Sequence, residues 1–316
     1  MAIELSPQAP AGPLWRVRLG LLTRSLRLNW SMFVQTKIGV LGLGIIVFYG
    51  LLAAAHPILM NTVWEERTYD PVIGYAFDRT RQPGPPTWKH LLGTDPLGRD
   101  ILSQLMHSAR SEFLLGIVAA VVTVVIGTTV GAVTAYFGGI VDAVLMRLAD
   151  IMIMMPAISV LVVLSALIGV QHFELAIIIG ILSGFGGTGV VLKSQALSIK
   201  VKPFIEAARA AGGGPFHIIF VHIVPNLLPL SFLYMMFTVT NAIFSEAILS
   251  FLGLLDVRMS WGLMIHTTES AGYLLRVGDT WWLIFPASVS ITLLTSSFYL
   301  VGRSLDEIVN PRLRRA

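Results

Sequence analysis

A glycine-rich stretch from Gly184 to Gly189 has a spacing that suggests chemistry, because it satisfies the dinucleotide-binding pattern GxGxxG. That pattern binds a pyrophosphate only when a strand precedes it and a helix follows it. Here it lies inside a long apolar run. The spacings Gly180-xxx-Gly184 and Gly127-xxx-Gly131 are typical of helices that pack closely in lipid. We therefore predict helix packing here and no nucleotide site.

The sequence predicts neither ATP hydrolysis nor a metal centre in this chain. A phosphate-binding loop would read GxxxxGK[ST], but Leu192 stands before Lys193-Ser194 where the loop needs glycine. The histidines form no HExxH motif, and His217 and His222 lie five residues apart in a polar segment. A zinc site needs three or four protein ligands, and no metal-spaced cluster includes this pair. We expect no catalytic residue, no cofactor and no metal.

Ionisable groups inside membrane spans would indicate ion-coupled transport. The apolar runs are nearly free of them, and Glu246 is the one candidate. It follows Asn226 by about 20 residues, or roughly 30 Å along a helix. This predicts a position near the outer interface, where a charge costs little. The sequence therefore disfavours a proton- or sodium-driven carrier and indicates that the energy comes from a partner.

The stretch from Pro203 to Pro229 has the composition of a surface that such a partner could bind. Pro203 suits the first position of a helix, and Glu206 in the first turn complements the helix dipole. Glycines 212–214 end that helix, and Pro215 can begin a second one. The pattern predicts a helix–turn–helix element that is too polar to cross a membrane.

The composition places the rest of the chain in lipid. The 316 residues are 55% hydrophobic and only 13% charged, whereas soluble domains carry about 25% charged residues. There are no cysteines, which excludes disulfide and thiolate chemistry. The apolar runs lack the alternation of β-barrel strands. We predict an integral membrane protein of the all-α class with six transmembrane helices.

Six apolar runs approach or exceed the length of about 20 residues that a spanning helix needs. They are approximately 38–58, 113–137, 151–171, 175–192, 226–250 and 281–302. The predicted divisions are an amphipathic cytoplasmic tail (1–37), a first span (38–58), an extracytoplasmic segment (59–112), a five-helix core (113–302) with a cytoplasmic loop (193–225), and a C-terminal tail (303–316). Pro156 is expected to kink the third span.

The distribution of lysine and arginine predicts the orientation. The two tails and the loops 138–150 and 193–225 hold 14 of these residues, and the segments 59–112 and 253–280 on the other side hold 8. By the positive-inside rule, both termini and the loop 193–225 are cytoplasmic.

Four polar residues of the outer segment 59–112 are predicted to form an ion-pair cluster that fixes the approach to the second span. They are Thr94, Asp95, Arg99 and Asp100. A structural role is favoured over a substrate site, because exposed charge pairs commonly do such work. Asp95-Pro96 is a helix-start signal, and the helical spacing of the leucines and isoleucine after it predicts an amphipathic helix that lies at the outer surface and leads into the second span.

The polar stretch resembles the signature of a known family, the membrane-spanning permeases of bacterial ATP-binding-cassette (ABC) importers. That signature reads Glu-Ala-Ala-x-x-x-Gly, followed later by an isoleucine and a proline. The matching residues here are Glu206, Ala207, Ala208, Gly212, Ile223 and Pro225. Gly213 and Gly214 replace the usual small polar pair, which is expected to loosen the turn.

Further motifs resemble the peptide and nickel branch of this family, which reads LGTDxxGRDxxS, YxGGxxD, SxLGL, SWGxM and, at its C-terminus, DPRLR. They correspond to Leu92–Ser103, Tyr136–Asp142, Ser250–Leu254, Ser260–Met264 and Asn310–Arg314. The chain is similar to the second, C-type permease of a dipeptide or oligopeptide importer.

The resemblance implies the type I importer permease fold in a bacterial inner membrane. It implies that the six signature residues form a coupling element that docks on a cytoplasmic ATPase, which hydrolyses ATP in place of this chain. The implied partners are a second homologous permease, two ATP-binding subunits and an external substrate-binding protein, without nucleic acid. Peptides are the implied substrates, and a nickel-chelate importer or an ATP-independent channel or carrier stays as an alternative.

Overall fold

The computed structural model describes residues 27, 30–78 and 81–309. Most of the predicted amphipathic tail and all of the Asn310–Arg314 motif lie outside the described residues. Within them the secondary structure is helical, and the only strand-like pairing is a single bridge between Thr94 and Asp100. The all-α prediction is confirmed.

The described part of the chain contains ten helices of eight or more residues. They are α1 (Lys37–Thr62), α2 (Ile101–Phe137), α3 (Gly139–Met154), α4 (Ala157–Ile168), α5 (His172–Ser183), α6 (Gly189–Lys200), α7 (Pro203–Ala210), α8 (Val224–Phe251), α9 (Trp261–Ser270) and α10 (Phe285–Val309). Shorter helical turns lie at Glu66–Tyr69, Pro215–His217, Leu274–Arg276 and Trp281–Leu283, with π-helical turns at Gly184–Thr188 and Ile218–Ile223.

Five helical runs in the described residues are long and apolar enough to cross a membrane. They are Lys37–Thr62, Ile101–Phe137, His172–Lys200, Pro215–Phe251 and Phe285–Ile308. The bent pair α3 and α4 makes a sixth if the two count as one span. This agrees with the number of apolar runs in the sequence.

Pro156 separates α3 from α4 at a bend of 84°. Proline lacks the N–H that would continue the helix, and it forces the preceding residue out of the helical region. Met155 accordingly has the extended angles φ −79° and ψ 126°. The predicted kink is therefore a complete break, and the apolar run 151–171 straddles two helices.

The second span begins earlier than its apolar run, which starts at residue 113. The Asp100 side chain accepts a hydrogen bond of 2.7 Å from the backbone N–H of Ser103 and so caps α2. The amphipathic helix expected to lead into the second span is thus the first part of α2, and it begins at Ile101 rather than at the predicted start signal Asp95-Pro96. A helix of 37 residues is about 55 Å long at 1.5 Å per residue, so it extends well beyond a hydrocarbon core of about 30 Å.

Helix α2 is the centre of the bundle and contributes to three separate clusters of buried residues. Its N-terminal part packs with α1, α8, α9 and α10 around Trp261. Its middle packs with α4, α5 and α8 around Leu115 and Leu175. Its C-terminal part packs with α6 and α7 through Ala132 and Ala135.

The four glycines predicted to serve helix packing, Gly127, Gly131, Gly180 and Gly184, lie where α2 meets α5 and α6. A Cβ added to Gly180 would lie 2.5 Å from the Cβ of Val122, and one added to Gly131 would lie 2.8 Å from the backbone nitrogen of Lys193. Both distances are too short for a side chain. The prediction that these glycines serve close helix packing is confirmed.

The four residues of the predicted cluster are buried in the outer segment, but only Asp95 and Arg99 form an ion pair with each other. Thr94 Oγ1 instead donates a hydrogen bond of 2.5 Å to Gln82 Oε1. The Asp95 carboxylate accepts hydrogen bonds from Arg99 Nε at 2.7 Å and Nη2 at 2.6 Å, and from Gln104 Nε2 at 2.9 Å. Asp100 Oδ2 lies 2.8 Å from His90 Nδ1. These contacts hold the approach to α2, as expected, but as a buried network rather than as exposed ion pairs.

Candidate functional site

The segment between α6 and α8, residues 201–223, is called the connecting element below. Its helix α7 buries one residue, Ile205, completely. Ile205 packs with Ile199, Ile218 and Ile223 in the cluster that contains the C-terminal part of α2. This buried anchor attaches an otherwise exposed helix to the bundle.

The turn that ends α7 is closed by a pair of backbone hydrogen bonds. The Gly213 N–H donates to Ala208 O at 2.9 Å, and the Gly212 N–H donates to Arg209 O at 3.0 Å. This is a Schellman arrangement, which places the residue after the C-cap in the left-handed region. Gly212 has φ +87° there.

Gly213 tightens this turn rather than loosening it. A Cβ at Gly213 would lie 2.7 Å from Ala208 O, whereas a Cβ at Gly212 or Gly214 would meet nothing within 4 Å. Gly212 is thus required for its backbone angle and Gly213 for space. Gly214 has φ −72° and open surroundings, so neither reason applies to it.

The structure places four of the six signature residues together and two apart. Glu206, Ala207, Ala208 and Gly212 lie on α7 and its terminal turn, and all but the half-buried Ala208 are exposed. Ile223 belongs to the buried anchor. Pro225 is exposed in the first turn of α8. Among the described residues, no ion pair involves Glu206.

An open groove of about 590 Å³ lies beside this turn. It is lined by Phe204, Ala208, Ala211, Gly212, Gly213, Gly214, His217 and His222. Three phenylalanines on the element are exposed, namely Phe204 (40%), Phe216 (72%) and Phe220 (53%). Exposed apolar groups clustered beside a groove are typical of a protein interaction surface.

Lys200 connects the element to α2, a role that was not predicted. Its ammonium donates hydrogen bonds of 2.9 Å to both Ala135 O and Tyr136 O, in the last turn of α2. Cations stabilise helix C-termini in this way. The sequence shows a lysine near the end of an apolar segment, which is typical of a helix-capping cation. It does not show which helix the lysine caps. Lys193 similarly pairs with Asp142 across α6 and α3.

A second group of polar residues lies within the bundle. From the sequence, Glu246 is expected near the outer interface at low cost, but its side chain is fully buried. His172 Nε2 lies 3.6 Å from Glu246 Oε1, and Glu112 is fully buried in the same cluster. The sequence does not predict that Glu112 and His172 are buried in the bundle. Each lies just outside an apolar run, where a polar side chain is expected to face the membrane surface.

A comparison with known protein families matches the part of the chain that contains the connecting element. Residues 114–315 match the family described as the binding-protein-dependent transport system inner membrane component. The chain belongs to this family. It is therefore a multi-pass membrane permease, and the resemblance inferred from the signature is confirmed together with the permease fold.

Individual relatives extend the match to most of the chain. The dipeptide transport system permease protein DppC of Bacillus subtilis is 30% identical over 289 residues, which are 90% of this chain and 85% of the relative. The oligopeptide transport system permease protein OppC of the same organism is 32% identical over 286 residues, 90% and 88% of the two chains. OppC of Haemophilus influenzae is 36% identical over 227 residues, 71% of each.

These findings assign the permease to transport rather than to catalysis. The family is a membrane component of transport systems, and each of these relatives is named as a permease protein. The permease is not itself an enzyme. Its description as binding-protein-dependent also implies a substrate-binding protein as part of the system.

Proposed function

We propose that this permease forms half of the translocation pathway of an ATP-driven importer for dipeptides or oligopeptides. The relatives named above transport these substrates. The observation that carries the coupling part of the proposal is the exposed helix α7, held on a buried isoleucine anchor and ended by a closed glycine turn. A rigid, protruding helix beside a groove suits docking by another subunit.

The proposed complex contains a second homologous permease, two ATP-binding subunits and an extracytoplasmic substrate-binding protein. One ATP-binding subunit docks on the connecting element. Ala207 and Ala208 let that subunit approach the helix closely, and the carboxylate of Glu206 is available for a basic or N–H group. Gly212 sets the turn, Ile223 anchors it, and Pro225 begins the next span.

The proposed orientation places both termini and the connecting element in the cytoplasm of a bacterium, with the permease in the inner membrane. The positive-inside rule supports it, because lysine and arginine are concentrated in these segments. With this orientation, the tails 1–37 and 303–316 lie in the cytoplasm and the segment between the first two spans lies outside.

Movement of the docked subunit is transmitted by two attachments of the connecting element to α2. The first is the isoleucine anchor, which packs against Ala132 and Ala135. The second is Lys200, which is bonded to the last carbonyls of α2. Because α2 takes part in every buried cluster named above, a displacement at its end reaches the helices that line the bundle.

The test of this function uses Glu206→Lys and Gly212→Leu in the full complex, with Gly214→Ala as the matched control. We expect both variants to lose co-purification of the ATP-binding subunits and peptide uptake, and the control to keep both. Unchanged assembly and uptake in the two variants would reject the coupling role.

The substrate and the energy source are tested separately. Proteoliposomes of the complex are expected to import labelled di- or oligopeptides only with ATP and the binding protein. Import of a nickel chelate in place of peptides would assign the alternative substrate. Transport by the purified chain alone without ATP would replace the importer with a channel or carrier.

A further inference from the structure

The strongest feature left unexplained is the buried cluster of Glu112, His172 and Glu246. These residues come from three helices, α2, α5 and α8. Each offers one ligand atom, and the three atoms lie within 4.8 Å of one another. We propose that this carboxylate–histidine cluster binds a divalent transition-metal cation.

The two carboxylates are buried without the groups that normally stabilise them. Both Glu112 and Glu246 have no exposed surface. Among the described residues, no lysine or arginine pairs with either of them, and the one histidine beside them, His172, lies 3.6 Å from Glu246 and carries a charge only when protonated. A buried charge is strongly unfavourable unless it is paired or binds a metal.

Four buried polar atoms at this place have no hydrogen-bond partner among the described residues. They are Glu112 Oε1, Glu112 Oε2, His172 Nε2 and Glu246 Oε2. Buried polar side-chain atoms nearly always have a partner. The three side chains converge, so a single cation satisfies an atom of each at once.

The donor set is suited to a transition metal. Imidazole nitrogen with carboxylate oxygen is a usual combination for zinc and similar divalent ions. Tetrahedral coordination with bonds of about 2.0–2.1 Å places ligand atoms about 3.3 Å apart. His172 Nε2 lies 3.6 Å from Glu246 Oε1, so the imidazole is already near this spacing from the carboxylate. Small side-chain rotations place Oε2 and a Glu112 oxygen around the same ion.

One ligand is already oriented by a neighbouring side chain. Ser250 Oγ donates a hydrogen bond of 2.5 Å to Glu246 Oε1, which leaves Oε2 for the metal. Such outer-shell bonds commonly orient metal-binding carboxylates. The His172 side chain is 23% exposed and borders a small cavity of about 100 Å³, which neither carboxylate lines.

A bound cation would tie α2, α5 and α8 together at this level of the bundle. The expected physical effect is a higher unfolding temperature in the presence of metal, because a ligand that binds only the folded state stabilises it. This prediction does not depend on the transported substrate or on the ATP-binding partners.

The experiment uses the full-length permease complex, stripped with a chelator and then titrated with Co²⁺. We expect one equivalent of Co²⁺ per chain, seen as visible absorption bands of a nitrogen–oxygen site and displaced by Zn²⁺. Glu112→Gln and His172→Gln should each weaken the affinity at least about tenfold, in line with the loss of a metal ligand. Glu174→Gln is the matched control, because Glu174 is an exposed residue of the same first turn of α5.

Three results would overturn the proposal. The first is the absence of Co²⁺ bands in the unsubstituted complex, which decides the question even if a variant fails to fold. The second is full binding retained in Glu112→Gln and His172→Gln. The third is a rise in unfolding temperature for Glu112→Gln without any effect of metal, which would assign a proton shared between the carboxylates instead. Metal binding and peptide uptake are separate readouts, so failure of one leaves the other intact.

Discussion

At the scale of single residues, the connecting element depends on two glycines for different reasons. Gly212 has φ +87°, which other residues adopt only with strain. Gly213 has no space for a Cβ, because Ala208 O would lie 2.7 Å from it. Gly214 has neither constraint, so the three glycines are not equivalent.

Alanine substitutions distinguish these three positions. We expect Gly212→Ala to destabilise the turn by about 1–2 kcal/mol through left-handed strain and Gly213→Ala to disrupt the bond to Ala208. Gly214→Ala should have no adverse effect. Limited proteolysis of the connecting element measures the stability of the turn in each variant, and co-purification of the ATP-binding subunits measures docking. Equal behaviour of all three variants would contradict the assigned geometry.

The Asp95–Arg99 pair is a second prediction at this scale. Its side chains are at most 9% exposed, and removal of one partner leaves a buried charge. We expect Arg99→Met to cost about 3–5 kcal/mol. The exposed pair Arg276–Asp279, at 3.9 Å, provides the control, because Arg276→Met should cost at most about 1 kcal/mol. Thermal unfolding of the purified permease measures both, and a similar loss in the two variants would refute the prediction.

At the scale of elements, a single lysine joins the end of α6 to the end of α2. Lys200 satisfies two carbonyls that the helix itself leaves without partners. Together with Ile205, it attaches the connecting element to the C-terminal end of α2. The anchor and the lysine are therefore the proposed points at which force enters the bundle.

Replacement of Lys200 by methionine keeps much of the side-chain length and removes the donor. We expect Lys200→Met to lower stability by about 1.5–3 kcal/mol, the range for hydrogen bonds to a charged group, and to lower the peptide imported per ATP hydrolysed. Lys202→Met, at an exposed position before α7, should change neither. The measurements are thermal unfolding and transport in proteoliposomes. A Lys200→Met complex with normal coupling would show that the isoleucine anchor alone transmits the movement.

At the scale of the whole molecule, the bundle is organised around α2. The glycines at positions 127, 131, 180 and 184 allow α5 and α6 to approach it closely, and the three buried clusters follow one another along its length. A helix in this position couples distant parts of the permease, because it cannot move without repacking several neighbours.

Close packing at Gly180 is testable against a glycine that makes no such contact. We expect Gly180→Ala to destabilise the bundle by about 1–3 kcal/mol, because the new methyl group meets Val122 and Ala119 O. Gly44→Ala lies in open surroundings on α1 and should be neutral, or stabilising by up to about 1 kcal/mol from helix propensity. Thermal unfolding in one detergent compares the two. A neutral Gly180→Ala would contradict the packing role.

Much of the fold was predictable because each membrane-spanning segment must be apolar over the thickness of the bilayer, which can be read from that segment alone. Apolar runs long enough to span a bilayer identify helices one segment at a time, and Pro156 marks a break from its own covalent structure. The boundaries were less predictable. Helix α2 begins at Ile101, where Asp100 caps it. Its first turns are polar, so hydropathy alone places the start of the helix too late.

The sequence by itself determined the membrane class, the helical architecture and the helix α7 with its glycine turn, because each depends on neighbours within a few turns. The second helix predicted at Pro215 is instead the start of the span Pro215–Phe251. Tertiary structure decided the rest. The bonds of Lys200 to α2 and the convergence of Glu112, His172 and Glu246 join residues far apart in the chain. Their side chains meet only because α2, α5 and α8 pack against one another, and hydropathy along a single segment carries no information on which segments become neighbours.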